Sequence, residues 1–354
     1  MNPRNIRIKD IARLAGVSKG TVDRVLHKRG RVSQESLQKV MKVLEEIDYK
    51  PNLIARTLSS SKNHRIIALL PSASSDAYWA QTEEGIREAE MEWSPYGVSI
   101  KVLSFDQYNK ESFKEKANEA FEDKPDGIIT APIFYHEALL FFELLKNAGI
   151  PYVLFNTHIP EGKPLSFIGT DTFNSGKVGA ELMYLGQHEG GKLAVMHLDE
   201  DINNSVHLLD KERGFREYFK NRNTLPFKIS EFSLQPDKPD FEARLNRVLN
   251  DPELKGIFVS TSKGTSVVAS YLAKKGKNNV RLIGYDIIDE NLKHLRTGII
   301  DFLINQNPKR QAFLGISHLV NYLIFKKKAP ETDLFPLEVI TQQNVDSYLN
   351  SRLH

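Results

Sequence analysis

The stretch that decides the fold runs from Asp10 to Leu26 as DIARLAGVSKGTVDRVL and resumes from Arg31 to Leu58 as RVSQESLQKVMKVLEEIDYKPNLIARTL. Its apolar residues recur every three or four positions, a spacing that places them on one face of an α-helix. The first such face is formed by Ile8, Ile11, Ala12 and Ala15. Gly16 follows directly and favours a tight turn, because glycine tolerates positive φ angles. The pattern predicts a short helix that ends in this turn.

A second helix is expected immediately after the turn. Ser18 is a good N-cap for a helix that begins at Lys19, since a serine oxygen accepts from the free amides of a first turn. Val17 fills the corner, and Val22 is placed to meet the small side chain of Ala12. Two helices joined this way form a helix-turn-helix, whose second helix lies in the major groove of DNA. A three-helix packing unit with no DNA role remains an alternative interpretation of this pattern.

A third helix completes the small N-terminal unit. Ser33 is its expected N-cap, and Pro51 prevents its continuation because proline has no amide hydrogen and clashes with the preceding turn. Its expected buried stripe consists of Leu37, Val40, Met41, Leu44 and Ile47.

Charge is distributed unevenly over the 354 residues, of which 40% are hydrophobic. Residues 1–65 contain 15 Lys and Arg against 6 Asp and Glu, a net charge of +9, whereas the remainder has a net charge of −6. A basic N-terminal unit on an acidic body predicts a polyanionic partner for that unit only.

Several classes of protein are disfavoured by what the sequence lacks. There are no cysteines, which excludes disulfides and thiolate metal sites. The N-terminal MNPRNIRIKD lacks the apolar stretch that is typical of a secretory signal, and no apolar run approaches the length of a membrane span. We therefore expect a cytoplasmic protein with no membrane partner.

No catalytic or cofactor motif is recognisable. The ten histidines show no metal-ligand spacing, and no G-x-S-x-G or G-x-G-x-x-G motif is present. The segment GTDTFNSGK has the wrong spacing for a phosphate-binding P-loop. We expect no enzyme activity, no metal and no cofactor.

Two motifs resemble a known family. The spacing A-x-x-A-G-V-S-x-x-T-V-x-R-V at 12–25 and the motif Y-x-P-N-x-x-A-R-x-L at 49–58 resemble the LacI/GalR family of bacterial transcription regulators. The resemblance is close over about the first 60 residues and looser beyond. It implies a ligand-responsive regulator, by default a repressor, that binds a pseudo-palindromic operator in double-stranded DNA as a homodimer.

Two other classes of protein stay open at this stage. A solute-binding protein of a sugar transporter would share the body, but predicts a signal peptide and no DNA-binding head. An enzyme on the same two-lobed fold would need a catalytic group that the sequence does not reveal.

The resemblance implies that Lys19, Gly20 and Arg24 read the operator. Lys19 can donate to guanine O6 or N7, whereas Gly20 offers no side-chain contact. Phosphate contacts are expected from Ser18, Thr21, Lys28, Arg29 and Arg31. For each exposed basic residue, simple solvation is an equally good interpretation.

The segment from Asn52 to Leu58 resembles the hinge helix of the family. Asn52 is its N-cap, and a helix of about two turns is unstable alone in water, so it should fold only when supported. The resemblance implies that Leu58 wedges between base pairs in the minor groove. Ala55 leaves room for close helix or groove contact, and Arg56 can reach phosphate. The alternative is that Leu58 packs on the body.

From residue 66 onward, apolar runs of strand length alternate with helical patterns. The predicted strands cover 66–70, 98–103, 127–131, 151–155, 167–169, 192–196, 227–233, 256–260 and 281–284. The predicted helices cover 78–93, 109–123, 136–148, 174–188, 209–220, 240–250 and 264–275. This alternation predicts parallel sheets with helices on both faces. The fold class is therefore α + α/β, a small helical head followed by two doubly wound lobes.

The expected organisation has three parts: a helix-turn-helix domain at 1–51, a hinge helix and linker at 52–65, and an effector-binding and dimerisation domain at 66–354. The body resembles the type I periplasmic-binding-protein fold, in which two lobes clamp a small molecule. By that resemblance the first lobe is about 66–163 with 307–335, and the second about 164–306 with 336–354. The chain would cross between them three times.

The effector is expected beyond the carboxyl ends of the strands, where open α/β sheets bind ligands. The residues in such positions are Ser72, Asp76, Tyr78, Trp79, Asn156, Asp171, Asp286 and Gln306. The resemblance implies that the loop after the first strand touches ligand and that Asp286 and Gln306 clamp it. Alternatives remain: helix core for Tyr78 or Trp79, a helix cap or lobe junction for Asp171, and a turn cap for Asp286.

Two departures from the family pattern concern the charge of the site. Lys211 stands where relatives have Arg, and Thr261, Ser262 and then Lys263 stand where relatives often have Asn-Asp. Lysine binds anions as a point charge, without the fork of arginine. The hypothesis is that the effector is a sugar derivative with an acidic group such as a uronate or phosphate; neutral sugars held through their hydroxyls remain an alternative.

Overall fold

A computed structural model describes residues 8–26, 30, 32–47, 63–74, 76–198, 204–220, 226–277 and 279–351. The chain forms two compact units, residues 1–60 and 61–354. None of the helices in the described ranges has the length and apolar character needed to cross a membrane. Some of the expected DNA contacts lie outside the described residues, namely Lys28, Arg29, Arg31, Asn52, Ala55, Arg56 and Leu58.

The head contains three helices in its described part, α1 (Ile8–Ala15), α2 (Lys19–Leu26) and α3 (Gln34–Glu46). Gly16 has a φ of 62°, and this left-handed turn lets α2 cross α1 closely. The helix caps are as expected: the Ser18 oxygen accepts from the Thr21 amide at 3.1 Å, and the Ser33 oxygen accepts from Ser36. The core of the head consists of Ile11, Ala12, Ala15, Val22, Val40 and Val43.

The expected stripe of α3 was partly wrong. Leu37 and Met41 are 39% and 52% exposed, whereas Val43, which the expectation omitted, is buried. The observed inner face is Val40, Val43, Leu44 and Ile47. The physical reason is that α1 and α2 cover only one side of α3, so the i, i+3, i+4, i+7 face that starts at Val40 is the buried one.

The body alternates strands and helices along most of its described length, although no α-helix separates its fourth strand from its fifth or its last two strands. Its strands are β1 (His64–Pro71), β2 (Val98–Phe105), β3 (Gly127–Thr130), β4 (Tyr152–Phe155), β5 (Ser166–Gly169), β6 (Gly191–Leu198), β7 (Phe227–Leu234), β8 (Leu254–Val259), β9 (Arg281–Tyr285), β10 (Phe302–Asn305), β11 (Thr332–Leu334) and β12 (Glu338–Ile340). Its helices are α4 (Ala77–Trp93), α5 (Lys110–Glu122), α6 (Tyr135–Asn147), α7 (Thr172–Tyr184), α8 (Val206–Lys220), α9 (Phe241–Leu249), α10 (Ser262–Lys275), α11 (Asp289–Arg296), α12 (Pro308–Phe325) and α13 (Val345–Leu349).

The strands form two six-stranded sheets, one in each lobe. The first has the order β11-β5-β4-β3-β1-β2 and the second β12-β10-β9-β8-β6-β7. Neighbouring strands are parallel except for β10 and β12. The central strands are apolar and buried on both faces, as parallel sheets between helical layers require. The doubly wound two-lobed fold expected from the alternation is confirmed.

The expected start of the second lobe near residue 164 was wrong. β5 pairs with β4 through the register Val153–Ser166, Leu154–Phe167 and Phe155–Ile168, so it belongs to the first sheet. The first crossing between lobes therefore follows Gly169, and the others follow β10 and β11. A four-residue apolar strand has no local signal for the sheet that it joins; only pairing decides.

Candidate functional site

The carboxyl ends of both sheets face a cavity between the lobes. It contains about 370 Å³ of space between the atoms, part of which is open to solvent. The side chains that line it are Asp76, Tyr78, Trp79, Gln107, Ile133, Asn156, His207, Lys211, Ser260, Thr261, Ser262 and Gln306. We call this cavity the cleft.

The wall from the first lobe is made of rings and amides that bond to one another. The indole N–H of Trp79 donates to Gln107 Oε1 at 2.8 Å, and Asn156 Nδ2 donates to the Tyr78 hydroxyl at 2.6 Å. The two rings meet edge to face with centroids 4.8 Å apart. Both aromatic residues are also buried core members, at 4% and 5% exposure. These rings are fixed in place without any ligand.

The wall from the second lobe presents a buried cation. Lys211 on α8 is 2% exposed, and its Nζ donates to the Ser260 carbonyl at 2.9 Å. The same Nζ lies 3.7 Å from the centroid of the Tyr285 ring, a favourable cation–π arrangement. The ammonium group is therefore held at the cleft by a carbonyl and a ring face.

Asp286 lies directly behind this wall rather than in it. Its carboxylate is fully buried and accepts from Ser262 Oγ, from the Gln306 amide at 2.8 Å and from Gln306 Nε2 at 2.8 Å. Burial raises the pKa of the Asp286 carboxyl, although Ser262, Lys211 and Gln306 oppose the rise. Because Ser262 and Gln306 line the cleft, the carboxylate positions two lining residues.

Three polar residues with left-handed backbone stand at strand ends beside the cleft. Asn156 follows β4 with φ 65°, Asp286 follows β9 with φ 62°, and Asn307 lies just after β10 with φ 55°. Asn and Asp tolerate this region better than other side-chain-bearing residues, and such conformations cluster at functional sites. The sharp turn at each of these positions lets the backbone leave its sheet at the cleft.

A network of hydrogen-bonded polar side chains supports the wall of the second lobe from within. His197 Nδ1 lies 2.8 Å from Ser260 Oγ, and its Nε2 lies 3.0 Å from Glu212 Oε2. Arg216 Nε donates to the other Glu212 oxygen at 2.6 Å. The hydrogen bond with His197 lowers the pKa of the Glu212 carboxyl, with a further contribution from Arg216. This chain of bonds ends at Ser260, a residue of the cleft.

The helix that presents Lys211 is packed against α7 without intervening side chains. A Cβ on Gly214 would lie 1.8 Å from the Phe173 carbonyl oxygen, and one on Gly176 would lie 2.0 Å from the Lys211 carbonyl oxygen. Only glycine permits this backbone contact, which sets the distance of α8 from α7 and so the position of Lys211.

The lobes touch each other around the cleft. Lys263 Nζ of the second lobe donates to the Tyr108 hydroxyl of the first at 3.0 Å. Asn204 accepts from the His136 amide at 3.3 Å and donates to Glu137 at 3.1 Å. These side-chain contacts, together with the backbone crossings, hold the two lobes against each other around the cleft.

Seven of the eleven expected cleft residues line the cavity: Asp76, Tyr78, Trp79, Asn156, Lys211, Thr261 and Gln306. Four do not. Ser72 bonds to Ser74 at 2.8 Å, Asp171 caps α7 by accepting from the Asn174 amide, Lys263 contacts Tyr108, and Asp286 lies behind the lining. Asp76 also caps α4 through the Tyr78 amide.

Five lining residues were not among the expected effector contacts: Gln107, Ile133, His207, Ser260 and Ser262. Four of them lie within three residues after the end of β2, β3 or β8, so the strand-end rule could have found them. His207 lies four positions before Lys211 on α8, which places both on one helix face. It lies 3.4 Å from Thr157 of the first lobe.

In the head, α2 presents one polar face to solvent. Lys19, Gly20 and Arg24 are exposed, opposite the buried Val22. The Ser18 and Thr21 hydroxyls lie 2.9 Å apart at the start of the helix. A Cβ on Gly20 would meet no atom closer than 3.8 Å. The exposed face therefore carries the cations Lys19 and Arg24, and Gly20, directly after Lys19, adds no side chain to it.

Family models match both units of the chain. Residues 67–327 match the periplasmic binding protein domain, and residues 7–52 match the lacI family of bacterial regulatory proteins. The sucrose operon repressor of Streptococcus mutans is 24% identical over 349 residues, covering 96% of this chain and 99% of that protein. The ribose operon repressor of Halalkalibacterium halodurans is 26% identical over 286 residues, covering 79% of this chain and 80% of that protein.

Solved structures match the body of the chain. A structure from Bacteroides fragilis, described as a LacI transcriptional regulator, superposes with a TM-score of 0.76 at 29% identity, covering 81% of this chain and 100% of that one. The glucose-galactose binding protein GanP of Geobacillus stearothermophilus has a TM-score of 0.71 at 19% identity, with 80% and 99% covered, which shows a shared fold. With a helix-turn-helix head and a two-lobed body both matched, this chain belongs to the lacI family of bacterial regulatory proteins.

Proposed function

We propose that this protein is a sugar-responsive repressor that binds a pseudo-palindromic operator as a homodimer. The observation that carries the proposal is the presence, in one chain, of an exposed recognition-helix face and a cleft lined by rings, amides and hydroxyls. The proposed place of action is the cytoplasm, because operator DNA is there. A solute-binding protein would have no use for the basic head.

The proposed effector is a sugar or an acidic sugar derivative. Tyr78 and Trp79 offer apolar ring surface, and Asn156 and Gln306 offer amides, a combination suited to sugar hydroxyls and faces. Relatives named sucrose and ribose operon repressors support a sugar. Lys211 is the proposed partner of an acidic group, since it is the buried cation of the cleft lining.

The proposed mechanism is linkage between the cleft and the head. An effector that prefers the closed lobes shifts the protein toward the closed state by its difference in affinity for the two states. Such couplings are typically about 1–3 kcal/mol, or roughly 5- to 150-fold in DNA affinity. In this proposal the closed state changes how the two heads of a dimer are presented to the operator.

DNA binding can be tested without knowing the operator. Sequences are selected from a random double-stranded library with the full chain, and the affinity of the best sequence is measured against salt. We expect a linear log–log decrease with a slope of about −0.9 per phosphate contacted. Lys19→Ala should weaken binding by about 1–3 kcal/mol, whereas Lys274→Ala on the body should not. Failure to select any sequence, or a flat salt response, would refute the DNA-binding role.

The effector class is tested by thermal shift of the full chain with neutral sugars, uronates, sugar phosphates and purines. A ligand that binds only the folded state stabilises it by RT ln(1 + [L]/Kd). We expect a sugar to raise the melting temperature. If the best ligand is acidic, Lys211→Ala should abolish its advantage over the neutral sugar; a change in affinity within about twofold, well under 1.4 kcal/mol, would contradict charge pairing.

A further inference from the structure

The second lobe contains another cavity, at the opposite end of its sheet from the cleft. It comprises about 980 Å³ of space between the atoms, part of which is open solvent. Its lining consists of Lys192, Leu193, Ala194, Lys228, Ser230, Phe232, Arg244, Arg247, Val248, Asp251 and Leu254. Lys192 and Lys228 lie near the starts of β6 and β7, whereas the cleft is reached from the ends of the strands. We call this cavity the edge pocket.

The edge pocket exists because small side chains stand where a sheet normally packs large ones. β7 is the edge strand of its sheet, and its register pairs Lys192 with Lys228 and Ala194 with Ser230. Neither Ala194 nor Ser230 fills the space beneath α9. The remaining floor is apolar and includes Phe232 and Leu254. The result is a hollow with an apolar base.

The rim of the edge pocket holds four cationic side chains, and two of them are already engaged. Lys192 Nζ lies 2.8 Å from both Asp251 and Glu253, which neutralise it. Arg244 donates to the Ser233 carbonyl at 3.0 Å.

The other two rim cations are available to a ligand. Lys228 and Arg247 are exposed, and neither forms a hydrogen bond or ion pair with a residue in the described ranges. The carboxylate of Asp251, whose pKa is lowered chiefly by Lys192 and to a smaller degree by Lys228, is paired with Lys192. They do not belong to a generally basic surface, because the chain beyond residue 65 has a net charge of −6.

We propose that the edge pocket is a second binding site, for a small organic anion with an apolar body. The apolar part lies on the floor beside Phe232 and Leu254, and the carboxylate, sulfonate or phosphate is held by Lys228 and Arg247. An apolar base with cations at the rim matches both parts of such a molecule. A bare sugar would leave the floor without contacts. The ligand touches only the second lobe, so its binding is independent of lobe closure and of the sugar proposal.

The test uses the full chain and a matched pair of fluorescent probes. Anilinonaphthalene sulfonate has an apolar body and an anionic group, and phenylnaphthylamine is its neutral counterpart. We expect saturable binding of the sulfonate. The double variant Lys228→Gln/Arg247→Gln should weaken it about tenfold and leave the neutral probe unchanged, as for the loss of two exposed charge contacts. The control Lys274→Gln/Lys293→Gln removes two exposed cations elsewhere and should change neither affinity.

A second variant tests the floor, with circular dichroism confirming the fold. Ser230→Leu places a large side chain over the hollow and should abolish binding of both probes, while Trp79→Phe in the cleft should leave both unchanged. The proposal is overturned if the sulfonate does not bind, if the control pair weakens it equally, or if the cleft variant changes its affinity and Ser230→Leu does not.

Discussion

The two walls of the cleft are built on different principles. The wall of the first lobe consists of rings and amides whose hydrogen bonds are made to one another, as in the pairs Trp79–Gln107 and Tyr78–Asn156. The wall of the second lobe presents a buried ammonium, Lys211, and side chains that a buried carboxylate, Asp286, holds from behind.

This difference gives the two walls different properties, rigidity in the first and discrimination by charge in the second. Neutral amides and rings cost little to bury when they are paired, so the first wall can be rigid in the absence of ligand. Buried charges are expensive unless they are paired and hydrogen-bonded, so the second wall depends on a deeper network. We infer that the second wall is the more fragile one and the one that discriminates by charge.

Asp286→Ala should have the largest effect on stability. It leaves the donors of Ser262 and Gln306 without their acceptor, and each unsatisfied buried donor costs about 1–3 kcal/mol. We expect the free energy of unfolding to fall by at least 3 kcal/mol. Trp79→Phe, which breaks one neutral bond of the first wall, should cost about 1 kcal/mol. Chemical denaturation measures both, and equal losses would contradict the contrast between the walls.

Gly214→Ala should come next. The added methyl would lie 1.8 Å from the Phe173 carbonyl oxygen, so α8 must move away from α7. Overpacking of this kind typically costs about 1–3 kcal/mol. Gly20→Ala in the head is the matched control, because its methyl enters open space and should stabilise α2 by roughly 0.5–1 kcal/mol. Thermal melts of the two variants should shift in opposite directions; a neutral Gly214→Ala would mean that α8 is free to adjust.

The Glu212 network predicts a pH-dependent contribution to stability. Because its folded-state pKa is lowered, chiefly by the bond with His197, Glu212 stabilises the protein fully above its unfolded pKa of about 4.3. That contribution is lost as the pH falls through the folded value. Glu212→Gln should therefore melt lower than the wild type near neutral pH and approach it in acid. A constant gap across this range would exclude the carboxylate as the cause.

Lys263→Met should have the smallest effect on stability and a clear one on closure. It removes the hydrogen bond that Lys263 donates to the Tyr108 hydroxyl between the lobes. A half-exposed contact of this kind is worth less than about 1 kcal/mol. Since the chain has no cysteines, a single pair can be introduced, one in each lobe, for spin-label distances. We expect Lys263→Met to broaden the distribution toward longer distances, and Lys274→Met to leave it unchanged. Identical distributions would show that the contact does not hold the lobes.

Much of this architecture follows from sequence patterns, and the exceptions share a cause. Alternation of strands and helices predicts the two sheets, and the strand-end rule finds five of the twelve lining residues, namely Asp76, Tyr78, Trp79, Asn156 and Gln306. The family resemblance adds Lys211 and Thr261. The rule failed for Ser72, Asp171 and Asp286, because whether a strand-end side chain points into a cleft depends on its backbone and its neighbours. The sequence pattern also did not indicate which sheet β5 joins, because pairing with β4 depends on contacts between strands and not on local sequence. His207 was missed because its place depends on the lobes meeting at Thr157.

The left-handed backbone at Asn156, Asp286 and Asn307 also restricts how this protein can diversify. In a saturation library, these positions should tolerate exchange among Asn, Asp and Gly far better than any β-branched residue, because a branched Cβ at positive φ is strained. Relatives with new ligand preferences would then arise by changing the freer positions around them, such as Gln107, Thr261 and His207. The turns that let the chain leave its sheets thereby separate positions restricted by their backbone from the freer positions of the cleft.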